Sequence, residues 1–130
     1  MSDKRKNRPI LNLSAIKENE NFQNSIMRPT LKLQHEIIID IFIFFIRKNR
    51  IDIFKNTSND FYVQLVETLI GKNLPLRNQL LGIVIGQFDK NEFNIYAKNV
   101  SEFNKRIVTM IKQRLCDSEH EIRIKIKNNR

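Results

Sequence analysis

Residues 29–48 read Pro-Thr-Leu-Lys-Leu-Gln-His-Glu-Ile-Ile-Ile-Asp-Ile-Phe-Ile-Phe-Phe-Ile-Arg-Lys, and the fold turns on this stretch. Its middle, Ile37 to Ile46, is β-branched and aromatic, a composition that suits a strand. Length decides for a helix. Leu31, Gln34, Ile38, Ile41, Phe42 and Phe45 follow one face of a 3.6-residue repeat, over more residues than a strand usually spans. Ile37, Ile39, Ile43, Phe44 and Ile46 fill most of the remaining circumference, so this helix should be central, with neighbours on several sides. Pro29 suits its first turn, and Arg47-Lys48-Asn49-Arg50 complements the carbonyl end of its dipole. The apolar run is about half the length of a membrane span and is broken by Asp40, which argues against membrane insertion.

Outward from this helix, the pattern stays helical. Phe22 and Ile26 lie one turn apart before it. After it, a loop carries Ile51, Ile53 and Phe54, expected to tuck inward. Thr57-Ser58-Asn59-Asp60 fits a capping box, and Phe61, Leu65, Val66 and Leu69 give the next helical face, closed by Gly71. Pro75 opens a helix lined by Leu76, Leu80, Ile83, Val84 and Phe88. Gly82 and Gly86 lie on one side of it, where another helix or a ligand is expected to come close. Phe88-Asp89-Lys90-Asn91-Glu92-Phe93 is the sharpest local signal, a capping box flanked by staple positions. A helix from Lys90 should break near Asn99 to Ser101. The last one carries Phe103, Ile107, Met110 and Ile111 and ends near Leu115 or Cys116.

The ends read differently. Residues 1–20 are polar and charged apart from Ile10-Leu11-Asn12-Leu13, and are expected to form a flexible arm. Residues 118–130 form a basic tail. Glu121-Ile122-Arg123-Ile124-Lys125-Ile126-Lys127 alternates strictly, which is strand periodicity; it could add to a sheet edge, pair with residues 10–13, or stay disordered. The reading is one all-α domain over residues 21–117, a bundle of about five helices with flexible basic termini. Three Gly and three Pro in 130 residues are too few for a turn-rich β sandwich.

The net charge of +9 suits an acidic partner such as nucleic acid. It is densest at the ends, with +3 in residues 1–9 and +2 in residues 118–130. Within the body, Lys105, Arg106, Lys112 and Arg114 decorate the last helix, and Arg47, Lys48 and Arg50 cluster after the long one. These seven are the candidate phosphate contacts, since such binding needs several cations on one face. Solvated helix faces also explain them. One cysteine, Cys116, permits no intramolecular disulfide and fits a reducing, cytoplasmic location. No secretory leader is visible.

No motif specifies a reaction: there is no phosphate loop, CxxC, nucleophile elbow or paired-histidine zinc signature. His35 and Asp40 are the candidate pocket residues. His35 sits beside Glu36, but adjacent helical residues diverge by about 100° and a metal needs three or four converging ligands. Asp40 lies in the most apolar segment, where an unpaired carboxylate is expensive. It faces solvent through a gap, pairs with Arg77 or Lys105, or marks a pocket. No catalytic residue, metal or cofactor is assigned.

Phe22-Gln23-Asn24, Met27-Arg28-Pro29-Thr30-Leu31-Lys32-Leu33-Gln34-His35, Leu81-Gly82-Ile83-Val84-Ile85-Gly86-Gln87-Phe88 and Asn104-Lys105-Arg106 together resemble a group of short uncharacterised bacterial proteins, some labelled glyoxalase. The likeness covers about residues 20–116. A glyoxalase label implies βαβββ modules with His and Glu metal ligands on strands. The helical periods and single internal histidine here do not match that pattern, so no site is carried over. The expected function is a non-enzymatic helical protein-interaction module, whose partner is another protein or a second copy. The alternatives are a nucleic-acid-binding protein using the last helix and basic tails, and an enzyme of undetermined class.

Overall fold

The computed structural model describes residues 16–128. Helical residues 16–22 lead through a π-helical stretch, Gln23–Met27, into seven α-helices: α1 (Arg28–Leu33), α2 (His35–Lys48), α3 (Asn59–Lys72), α4 (Leu74–Ile85), α5 (Lys90–Ala97), α6 (Val100–Asp117) and α7 (Glu119–Asn128). The all-α class holds, with more and shorter helices than the five expected. Among the described residues no helix is long and apolar enough to cross a membrane. Residues 1–15, most of the expected arm, lie outside the described residues, and residues 16–20 of it are helical.

The long helix read from Pro29 to Lys48 is interrupted at Gln34, whose φ of −93° and ψ of 11° separate α1 from α2. The Gln34 side-chain amide donates to the Ile83 carbonyl at 3.1 Å, tying the break to α4. The other end of α2 closes on Arg50, which takes φ 53°. Its N–H donates to the Arg47 carbonyl at 3.1 Å, and the Ile51 N–H reaches back to Ile46 at 3.0 Å. That is a Schellman closure with arginine where glycine is usual.

Side-chain caps set the starts of α3, α4 and α5. Asp89 and Glu92 form the reciprocal box at 2.8 Å in both directions. The cap of α3 is Ser58 rather than Thr57, its hydroxyl accepting from the Phe61 N–H at 3.2 Å. Asn73 caps α4 through Leu76 at 3.0 Å. Gly71 does not close α3, which runs on to Lys72; no described glycine has positive φ.

The hub is α6 rather than α2. It packs against α1, α3, α4, α5 and α7, and buries Phe103, Ile107, Ile111 and Leu115 along one side. Phe22, Phe88, Tyr96 and Phe103 form an aromatic cluster with centroids 4.9–6.3 Å apart, which fastens the first helical turns and α5 to α6. The buried Tyr62 hydroxyl donates to the Leu115 carbonyl at 2.7 Å and ties α3 to α6. Burial raises its pKa well above the ordinary tyrosine value, which keeps that donor protonated.

The alternating tail is helical. Ile122 and Ile126, one turn apart, are buried, while Ile124 between them is exposed. Helix α7 packs against α2 and α6. Burial of one face by these neighbours overrides the local strand pattern.

Candidate functional site

The most apolar helix of the chain is not fully covered. Ile38, Ile39, Phe42, Ile43 and Ile46 of α2 are buried. On the other side Leu33 is 72% exposed, Ile37 48% and Phe44 67%, with Ile41 half-buried among them. Positions 37, 41 and 44 are spaced by four and three residues, so they line one side of α2 over about 10 Å, and Leu33 lies just before them at the end of α1. Scattered exposed leucines and isoleucines are ordinary on a protein surface. Exposed apolar residues on one helix side, an open phenylalanine among them, make this side a candidate docking face.

Asp40 flanks this stripe. It is exposed and makes no ion pair or hydrogen bond through its side chain among the described residues. Neither Arg77 nor Lys105 reaches it. Its presence in an apolar run is explained by the open side of α2, where its charge stays in water at little cost. His35 and Asp40 do not share a pocket, since five helical residues turn the two side chains about 140° apart.

His35 instead joins a polar cluster that sequence reading missed. Its Nε2 lies 3.0 Å from Glu121 Oε1 of α7, and the Arg114 guanidinium of α6 lies 3.1 Å from Nδ1. Arginine can only donate, so Nδ1 must accept; Nε2 then carries the hydrogen and donates to Glu121. Lys125 donates to Glu36 at 2.9 Å and lies 3.2 Å from Glu121 Oε2. The hydrogen bonds from His35 and then Lys125 hold the Glu121 carboxyl below its ordinary range, and Glu36 and Glu121 raise Lys125.

Ligand atoms of His35, Glu36 and Glu121 lie within 4.8 Å of one another, the one group among the described residues with metal-ligand spacing. The hydrogen bonds oppose that use. The Lys125 ammonium already bridges the carboxylates. Coordination through Nε2 would also move the ring hydrogen to Nδ1, facing the Arg114 donor. The cluster is a latch that holds α7 on α2 and α6. Two pairs in the sequence could have announced helix α7, which carries part of the cluster: Glu119–Arg123 and Glu121–Lys125 are both acid–base pairs one helical turn apart.

The seven candidate phosphate contacts do not form one face. Lys105 and Lys112 share a cleft with Arg77 of α4. Arg106 turns to Glu102 at 3.8 Å, and Arg114 to His35. Arg47 donates to the last carbonyls of α7, Lys125 at 3.3 Å and Ile126 at 3.4 Å. Lys48 is exposed, and Arg50 shapes the end of α2. Among the described residues no other helix comes close at Gly82, where a Cβ would meet nothing within 4 Å. Cys116 is half-buried, and burial with the charges of Glu67, Asp117 and Glu119 raises its thiol pKa, against a nucleophilic role. Comparison with known protein families, curated proteins and solved structures finds no match to this chain.

Proposed function

We propose that the chain is a non-enzymatic helical interaction module whose docking face is the Leu33–Ile37–Ile41–Phe44 stripe, and that the face pairs with the same face of a second copy. The observation that carries this reading is Phe44, two-thirds exposed in the middle of the most apolar helix. Charge along α2 supports self-pairing. Glu36 and Arg47 are engaged by α7, which leaves exposed Asp40 in the first half of α2 and exposed Lys48 at its end. An antiparallel two-fold contact sets acidic halves toward basic ends and opposes the helix dipoles; a parallel contact sets like against like.

Burying a large apolar side chain is worth about 1.5–3 kcal/mol, and these are partly covered already. The exposed parts in two copies supply roughly 7–9 kcal/mol, and an association cost of about 4 kcal/mol leaves at most about 5, so the dimer is weak, with a dissociation constant on the order of 0.1–1 mM. Sedimentation equilibrium across that range tests it. The average mass should climb toward twice the monomer, and Phe44→Glu, with an unchanged helical circular dichroism spectrum, should hold it at the monomer. A wild-type mass that stays at the monomer value to about 1 mM removes the self-pairing reading.

A further inference from the structure

A second site lies between α4 and α6 and is independent of the α2 face. It is an open cleft of about 530 Å³ into which Arg77 of α4 and Asn104, Lys105 and Lys112 of α6 project, over an apolar floor of Leu81 and Val108. Among the described residues no carboxylate lines it. The Arg77 and Lys105 side chains make no ion pair or hydrogen bond among the described residues. The third cation, Lys112, is held at the cleft by Glu67 at 2.9 Å. Asn104 is oriented too: the Tyr96 hydroxyl donates to its Oδ1 at 2.6 Å, which leaves the amide N–H groups free to donate.

Three cations with one paired leave two positive charges unanswered around a polar mouth. A guanidinium fork, an ammonium and an amide donor suit a tetrahedral dianion better than a single carboxylate. The apolar floor would take the organic part of such a ligand. We propose that this cleft binds a phosphate monoester, with Arg77 and Lys105 as its main charge contacts and Asn104 as a neutral donor. The reading separates Lys105 and Lys112 from the other cations of α6. Arg106, one residue away and paired with Glu102, does not line the cleft.

The test is a titration of the full chain at low salt, followed by amide chemical shifts, with inorganic phosphate, adenosine monophosphate, adenosine and a 5′-hydroxyl oligonucleotide. Phosphate and the monophosphate should shift amides of residues 77–81 and 101–112, and adenosine should not. Arg77→Ala with Lys105→Ala should weaken monophosphate binding by about tenfold or more, while Arg106→Ala, which removes a nearby charge outside the cleft, stays within about twofold. Equal losses in the two variants would reduce the effect to diffuse charge and overturn the proposal. So would no shift with phosphate or monophosphate at about 10 mM, or binding of the oligonucleotide alone, which would give the cleft to a nucleic-acid backbone.

Discussion

Replacing Arg123 with alanine should destabilise the protein by about 3 kcal/mol, because this one side chain fastens α7 to the loop between α2 and α3. Its Nε donates to Glu119 at 2.9 Å; the guanidinium also donates to the Ile53 carbonyl and, at 3.4 Å, to that of Asn56. It lies 5.8 Å from the Phe54 ring centroid and 5.6 Å from that of Tyr62. Only 14% of the Arg123 side chain and 18% of that of Glu119 are exposed, so water screens this pair little. The ion pair, the lost donors to the loop carbonyls and the cation–π contacts are each worth roughly 1 kcal/mol. For a chain of this length that is a fall of roughly 10–12 °C in Tm. Thermal unfolding followed by circular dichroism measures it. Arg123→Lys should lose most of the same stability, since an ammonium cannot span these acceptors. A fall below ~3 °C in the alanine variant would show that α7 is not held as described.

Three further substitutions probe the frame and the latch. Arg50→Gly should stabilise the protein by about 0.5–1 kcal/mol in urea unfolding, because glycine takes positive φ without the steric cost arginine meets; a loss would mean the Arg50 side chain contributes more than its backbone strain costs. Gly82→Ala should add about 1 kcal/mol, since its Cβ enters open space on the exposed side of α4; destabilisation would reveal a contact at that face. The carboxyl of Glu121 is held below its ordinary range, so its share of stability is present above the unfolded value of ~4.3 and is lost as pH falls through the folded one. Glu121→Gln should therefore flatten the acid limb of the stability profile below about pH 5, and an unchanged limb would count against the His35–Glu121 bond.

The parts of the fold that were legible in the sequence are the local ones. Asp89 and Glu92 satisfy each other within four residues, so the start of α5 needs no tertiary information. Phe103, Ile107 and Ile111 mark the inner face of α6 by spacing alone. Helix α7 has the pattern of a strand in the sequence because Ile122, Ile124 and Ile126 satisfy a period of two as well as they fill a helix. Only packing on α2 and α6 chooses the helix by burying the first and third. The open face of α2 was hidden for a related reason: a helix apolar all round does not say which side its neighbours cover. The His35 cluster joins residues 86 positions apart, beyond any local pattern. Asp40 was the one visible hint of the open face, a charge that needs water inside an apolar run.

The central claim is that the outer face of α2 meets the same face of a second copy. An isotope-filtered NOE experiment on a mixture of labelled and unlabelled chains near 1 mM reads it directly. The account predicts intermolecular contacts from the Phe44 ring to methyl groups of the α2 stripe, and their loss in Phe44→Glu. Their absence at a concentration where sedimentation shows association, or contacts confined to another surface, would contradict it.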